Sequence, residues 1–213
     1  MDDYSIDVLN EARNEYTAYL LNLLVPLLAE GFDAIYNEAY HVCSKENELN
    51  KVLLTFQNFL SIIPKWDRST IQKETNRIIE RSNCNYIHEL LTAVHISKMK
   101  VLSVVRSSKE QKKINIQFPK LEDFIHKTYI LAARTFYSNA DLFWHNEPDS
   151  ITIQRNQRAI RNILKEEILN AVRASLPVEN ILRLYVTDPS SEVVEEEVRE
   201  EIVENDNHED END

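Results

Sequence analysis

The chain of 213 residues contains a single glycine, Gly31. Average usage of about 7% would give roughly 15 glycines in a chain of this length. Phosphate-binding loops, dinucleotide fingerprints, nucleophile elbows and tight hairpins need glycine, either for positive φ or for a close approach of the backbone to a ligand. The composition therefore excludes these sites, and we expect a non-enzymatic protein with no cofactor.

The cysteine content and the hydropathy pattern indicate a protein of reducing, intracellular compartments. Two cysteines, Cys43 and Cys84, are too few for a disulfide framework, and the acidic N-terminus differs from the basic start of a secretory signal. The longest apolar stretch, 19–29, has 11 residues, whereas a membrane span needs about 18. We predict no transmembrane segment.

The net charge of -12 lies in the last 26 residues. Residues 188–213 hold 13 acidic residues and one basic residue, whereas residues 1–187 hold 23 of each. The segment 188–213 has no aromatic residue and too few apolar residues to offset the entropy cost of ordering it. We predict a domain over 1–187 and a disordered acidic tail over 188–213.

The apolar residues of the domain recur with helical spacing, which predicts a compact all-α fold of seven or eight helices. Pro26 predicts a kink or break in the first helix, and Gly31 a boundary before the second. Ser69 and Gln72 match a capping box, which predicts the start of a helix there. The predicted helices cover 4–26, 32–44, 49–63, 69–82, 86–105, 120–137, 151–175 and 177–185.

One segment breaks the helical pattern. Ile114, Ile116 and Phe118 alternate with Asn115 and Gln117, which is the period of an extended chain. We therefore predict a short extended segment or lone strand over 113–118.

Three stretches of the sequence resemble an uncharacterised protein family of the nucleocytoplasmic large DNA viruses, the giant viruses. They are IPKWDRSTIQKETNRIIE at 63–80, LLTAVHISKMKVLSVVR at 90–106 and KINIQFPKLEDFIHKTYILAARTFYSNADLF at 113–143. The resemblance covers roughly residues 10–143 and implies no catalytic residue. It implies a viral protein made in the host cytoplasm or the viral factory, with the virion as a further location.

Two pairs of an acidic residue and a histidine have the spacing of a di-iron carboxylate site. Glu38 with His41, and Asp123 with His126, are each three residues apart, as in ferritin-like bundles. Such pairs arise by chance in a chain this rich in acidic residues, so a ferritin-like metal-binding bundle is a minor alternative. Capping, surface or core roles are the favoured interpretation.

Basic residues form two clusters that could contact phosphate groups. Nucleic-acid binding is the alternative they indicate, but a body of zero net charge is not typical of nucleic-acid-binding domains. We therefore keep a transcription or genome-packaging factor as the second hypothesis. The clusters are Lys98, Lys100, Arg106, Lys109, Lys112 and Lys113, followed by Arg155, Arg158, Arg161 and Lys165.

The aromatic residues are mostly expected in the core. Phe136, Tyr137, Phe143 and Trp144 surround a helix end and a loop, and we predict that they form a partly exposed interaction surface. The favoured function is protein–protein contact in virion structure or assembly. The partners would be other viral proteins, with basic ones attracted by the acidic tail.

Overall fold

The computed structural model describes residues 3–104, 118–144 and 149–178. Within these residues the chain forms six α-helices and three short 3-10 helices, without a strand, which confirms the all-α fold. The α-helices are α1 (Asp3–Lys45), α2 (Val52–Ile62), α3 (Arg68–Ser82), α4 (Ile87–Val104), α5 (Leu121–Ser138) and α6 (Ser150–Ala174). The 3-10 helices are Leu49–Lys51, Ile63–Lys65 and Ala140–Phe143.

The chain divides into two units. The first, Met1–Val101 with Asn115–Leu176, contains all the described residues except 102–104 and 177–178. The second, Leu102–Ile114 with Pro177–Asp213, lies mostly outside them. Three predicted features lie wholly or mostly outside the described residues. They are the extended segment 113–118, of which only Phe118 is described, the last helix beyond residue 178 and the acidic tail.

Helix α1 is continuous over 43 residues, so the predicted break at Pro26 and the boundary at Gly31 are wrong. A proline inside a helix removes one backbone hydrogen bond. Here both flanking turns bury apolar side chains, and packing of a buried face outweighs local propensity. The buried stripe of α1 consists of Leu20, Leu24, Leu28, Phe32, Tyr36, Ala39 and Cys43.

Helix α3 begins earlier than the predicted capping box. The N-cap is Asp67, whose carboxylate accepts a hydrogen bond from the backbone N–H of Thr70 at 2.9 Å. That hydrogen bond lowers the pKa of Asp67. Asp149 caps α6 in the same way, at 2.6 Å from the N–H of Thr152. A capping carboxylate immediately before each helix therefore sets these two starts.

Asparagine occupies the left-handed positions that glycine usually fills. Asn47 follows α1 with φ of 56°, and Asn83 ends α3 with φ of 49°. Asparagine tolerates this region better than most residues. The chain thus makes its turns without glycine, and the one glycine lies within a helix.

The core is built around α1 and α5. Helix α5 packs against α2, α3 and α6, and α1 packs against the same three helices. Alanines on α5, Ala132 and Ala133, are buried and allow close packing of its neighbours. Helix α3 therefore lies beside both central helices, and this arrangement forms the cleft described next.

Candidate functional site

An open cleft of about 590 Å³ lies between α1, α3 and the end of α2. Its size falls in the range of small-molecule and peptide-anchor sites. The residues that form it come from four separate parts of the chain, so the cleft exists only in the folded state.

Helices α1 and α3 contribute two walls with the same residue spacing. On each helix the lining residues stand at positions i, i+3, i+4 and i+7, which is one helical face over two turns. The α1 wall consists of Gly31, Ala34, Ile35 and Glu38. The α3 wall consists of Thr70, Lys73, Glu74 and Arg77.

Aromatic and aliphatic side chains from the end of α2 and the following turn close the third side. Phe59 and Trp66 are half-buried, whereas Ile62 is 51% exposed. The indole of Trp66 stacks on the ring of His126 at a centroid distance of 6.1 Å and packs against Tyr129 at 5.1 Å. The indole is therefore held in place by rings of α5, whereas Ile62 is free to contact a ligand.

The floor of the cleft is a partly buried polar network centred on Glu74. The hydroxyl of Tyr129 donates to Glu74 Oε1 at 2.6 Å. Arg77 donates to both carboxylate oxygens, from Nη2 at 2.6 Å and from Nε at 2.8 Å. The same Nη2 donates to the backbone carbonyl of Leu27 on α1 at 2.7 Å. Arg77 thereby ties α3 to α1 across the floor.

The network keeps the Tyr129 hydroxyl neutral and the Arg77 guanidinium charged. Burial raises the pKa of Tyr129 well above its ordinary value, and the adjacent Glu74 carboxylate raises it further. The hydrogen bond to Glu74 raises the pKa of Arg77. Tyr129 is therefore a neutral donor and Arg77 a fixed cation, and both are directed at protein atoms.

Gly31 is required because the Tyr129 hydroxyl lies against the backbone of α1. A Cβ atom at this position would overlap the Tyr129 hydroxyl, and it would also lie 3.0 Å from Tyr129 Cζ and 3.2 Å from Arg77 Nη2. Gly31 has no positive φ, so the requirement is one of space. The only glycine of the chain thus admits the Tyr129 hydroxyl to the floor of the cleft.

An ion-pair cluster secures one end of the cleft. Glu30 accepts from Arg81 Nη2 at 2.9 and 3.0 Å and from Arg77 Nη1 at 3.3 Å. These residues are partly exposed, so each pair contributes little to stability. They form further contacts between α3 and α1.

Two charged side chains of the walls remain available to a ligand. Glu38 on α1 and Lys73 on α3 are both exposed, and neither forms an ion pair with a residue that the structure describes. The cleft therefore combines an apolar lining with one negative and one positive group on opposite walls.

The two predicted metal-site pairs are placed in different surroundings. Glu38 and His41 are exposed on α1. Asp123 is exposed on α5, and His126 Nε2 lies 2.9 Å from the carbonyl oxygen of Ile63. In the described part of the chain, no group of three or more histidine, cysteine or acidic side chains is placed to hold a metal ion. The structure therefore gives the ferritin-like alternative no support.

The predicted basic clusters are described only in part. Lys98 on α4 is half-buried, and burial lowers its pKa, with Arg173 and Arg13 lowering it further. Lys100 is exposed, whereas Arg106, Lys109, Lys112 and Lys113 lie outside the described residues. The α6 row is exposed throughout; it consists of Arg155, Arg158, Arg161 and Lys165.

The structure places two of the four predicted surface aromatics in the core. Phe136 and Phe143 are 0% exposed and contact each other edge to face at 5.0 Å. Phe136 also packs on Phe32, and so these rings join α5 to α1 and do not form a contact surface. Tyr137 is 46% exposed and Trp144 is half-buried.

Sequence reasoning did not find the cleft. The aromatic residues that line it, Trp66 and Tyr129, were expected only in the core, and Glu74 was not singled out. The signals for the site were the solitary Gly31 and the Glu74–Arg77 pair three residues apart on one helix.

One part of α1, Asn10–Lys45, is long and apolar enough to cross a membrane by length and composition. The core helix of a folded protein can have the same length and apolar composition. One face of this helix forms the centre of the core described above.

Comparison with known proteins identifies the chain only at the level of a family. No curated protein and no solved structure gives a significant match. The family model described as "Family of unknown function (DUF5764)" matches residues 6–144, which include α1 from residue 6 onward, α2 to α5 and every residue that lines the cleft. The chain belongs to this family of unknown function, DUF5764.

Proposed function

We propose that the chain is a non-enzymatic protein of a large DNA virus that acts through protein–protein contacts in virion structure or assembly. The viral origin rests on the resemblance of the three stretches quoted above. The cleft between α1, α2 and α3 is the observation that supports a contact function, because it is apolar, open and held in shape by its own floor.

The chemistry of the floor supports binding over catalysis. Glu74 accepts three hydrogen bonds from Tyr129 and Arg77, and neither donor is free to exchange a proton near neutral pH. A general base or nucleophile needs a group that can change its protonation state against a substrate. We therefore assign the cleft to recognition of a partner.

The test compares two exposed side chains of the same helix. Ile62 lies in the cleft and is 51% exposed, whereas Leu54 does not line the cleft and is 56% exposed. A recombinant virus carries either Ile62→Glu or Leu54→Glu, and quantitative mass spectrometry measures the chain in purified particles. Because a carboxylate would have to be buried on docking, we expect Ile62→Glu to lower incorporation by about tenfold.

The matched variant makes the result specific. Both side chains are exposed, so both proteins should melt at the temperature of the unmodified chain. Leu54→Glu should be incorporated normally. Equal incorporation of the two variants would contradict a role for the cleft in assembly.

The acidic segment 188–213 belongs to the same proposal as an attractor of basic partners. Its 13 acidic residues would attract positively charged partners electrostatically. Salt screens this attraction, with a Debye length of about 8 Å at physiological ionic strength. Removal of 188–213 should weaken association with basic viral proteins at low salt and have little effect at high salt. An unchanged affinity at low salt would refute this part of the proposal.

A second candidate function is nucleic-acid binding through the α6 row. The observation that favours it is that all four side chains are exposed and form no ion pair with a described residue. Each phosphate contact adds about 0.9 to the slope of log affinity against log salt. If the row binds duplex DNA, Arg158→Glu with Arg161→Glu should lower that slope by about 2, whereas Arg68→Glu on α3 should leave it unchanged. Absence of salt-sensitive binding by the full chain would exclude this function.

A further inference from the structure

The two long walls of the cleft define the length of an occupant. Seven residues separate the first and last lining positions on each of α1 and α3. At a rise of 1.5 Å per residue this corresponds to about 10.5 Å, or two helical turns. An occupant that fills the cleft therefore presents its apolar groups over about two turns of helix.

The volume of the cleft defines how many side chains it receives. An apolar cavity of about 150 Å³, such as one that a deleted leucine side chain leaves, can hold one benzene molecule. The cleft, at about 590 Å³, is therefore large enough for three or four apolar side chains. An α-helix places four side chains on one face over two turns, at i, i+3, i+4 and i+7. In an extended chain, side chains on the same face are about 6.6 Å apart, so it supplies only two side chains to the cleft over the same length.

The charges on the two walls define the direction of the occupant. Glu38 on the α1 wall and Lys73 on the α3 wall are exposed, and they do not pair with each other or with another described residue. A partner with a basic residue beside Glu38 and an acidic residue beside Lys73 would complement both. Complementary charges at the edge of an interface set orientation and specificity.

We propose that the cleft receives an amphipathic α-helix of a partner protein, with apolar residues at i, i+3, i+4 and i+7, a basic residue facing Glu38 and an acidic residue facing Lys73. This inference rests on the proposed function of the cleft as a protein-contact site. It adds the secondary structure and the charge pattern of the partner segment, which is recognition of a helix in a groove.

The experiment uses two phage-displayed peptide libraries and the full-length chain. One library carries apolar residues at i, i+3, i+4 and i+7, and the other carries the same residues at alternate positions. Both vary the remaining positions among Ala, Gln, Lys and Glu. We expect binders from the first library only, with one basic and one acidic position enriched. Their affinity should fall at least tenfold with Ile62→Glu and stay unchanged with Leu54→Glu.

A charge exchange tests the orientation. Glu38→Lys should weaken the selected peptide severalfold, and replacing the basic residue of the peptide by glutamate should restore binding. Glu80→Lys is the matched control, because Glu80 is exposed on α3 and does not line the cleft. It should leave the affinity for the selected peptide unchanged.

Several results would overturn the helix proposal. One is selection of binders from the alternating library, and another is binding that does not respond to Ile62→Glu. A third is a dimer of the chain that Ile62→Glu dissociates, since the occupant would then be a second copy. A fourth is displacement of every peptide by a small apolar molecule that copurifies with the chain.

These failures are distinguishable from failure of the proposed function. If Ile62→Glu reduces incorporation into particles but no helical peptide binds, the cleft is a contact site for a different kind of segment and only the helix proposal is lost. If Ile62→Glu affects neither incorporation nor peptide binding, both proposals are lost.

Discussion

Substituting Gly31 by alanine tests whether the cleft floor depends on the one glycine of the chain. In an isolated helix this change stabilises by about 1 kcal/mol, because glycine is the poorer helix former. In this protein the added methyl group would overlap the Tyr129 hydroxyl and lie 3.0 Å from Tyr129 Cζ. The Tyr129 ring is 0% exposed and packs against Phe32 at 4.9 Å and Trp66 at 5.1 Å, so moving it away from Gly31 would disrupt these ring contacts.

The magnitude follows from three contributions. Overpacking a filled core site costs about 1–3 kcal/mol. Displacing the Tyr129 hydroxyl from the Glu74 carboxylate costs a further 1.5–3 kcal/mol or so, since the acceptor is charged. The gain in helix propensity offsets about 1 kcal/mol of this. We therefore expect Gly31→Ala to destabilise the chain by about 1.5–5 kcal/mol.

The assay is urea unfolding followed by far-ultraviolet circular dichroism, with Gly31→Ala, Tyr129→Phe and the double variant compared as a cycle. Removing the hydroxyl relieves the closest overlap, so Gly31→Ala should cost at least about 1.5 kcal/mol less in the Tyr129→Phe background. Ala18→Gly, at an exposed position of α1, should lower the free energy of unfolding by about 1 kcal/mol, and it measures the contribution of helix propensity alone. A Gly31→Ala chain more stable than the unmodified one, or a cycle without coupling, would refute the reasoning.

Three further predictions concern the floor, the core and the α3 cap. Arg77→Lys keeps the charge but loses the paired hydrogen bonds to Glu74, so urea unfolding should show a free energy of unfolding lower by about 2 kcal/mol. Equal stability would show that the charge alone suffices. Burial lowers the pKa of His95, so the unfolded chain takes up the proton first and stability should fall as pH drops below about 6.5. Melting temperatures measured from pH 8 to 5.5 should fall less for His95→Gln than for the unmodified chain. An identical fall in melting temperature would exclude His95 as its source. Asp67→Ala should lower the urea midpoint at pH 7, because the helix loses its capping carboxylate. The difference in midpoint between the two chains should shrink at acidic pH, as the Asp67 carboxylate of the unmodified chain is protonated. A difference that stays constant with pH would contradict the charge contribution.

The helices were predictable from the sequence because each carries a long apolar face. The starts of α5 and α6 are within a residue or two of their predicted positions. The continuity of α1 was not predictable, since Pro26 and Gly31 are local signals for interruption and only the packing of both flanking turns overrides them. The predicted start of α3 at Ser69 is wrong, because the carboxylate of Asp67 caps the helix two residues earlier.

The cleft was beyond sequence reasoning for a different reason. Its walls come from helices that are neighbours only in the folded chain, and the spacing on each wall is common to any amphipathic helix. The side chain of Tyr129 reaches Gly31 across about a hundred residues of sequence, and no local pattern connects the two. From the sequence, Gly31 predicted only a helix boundary, which is wrong, and nothing in the local pattern connected it with the Tyr129 hydroxyl.

The aromatic residues show the same limit. Phe136 and Tyr137 are neighbours in sequence, yet one is fully buried and the other is 46% exposed. Successive residues of a helix point about 100° apart, so adjacent aromatics face different surroundings. Which of the two faces outward depended on the position of α1, and that position is a property of the tertiary fold.

The central claim is that a partner protein occupies the cleft, and site-specific photocrosslinking in infected cells tests it most directly. The chain would carry Ile62→p-benzoylphenylalanine in the cleft or, as the control, Leu54→p-benzoylphenylalanine on another part of α2. We predict a discrete crosslinked product with one viral protein from the cleft position, mapped to a helical segment, and no such product from the control. The same products from both positions, or none from the cleft position, would contradict the claim.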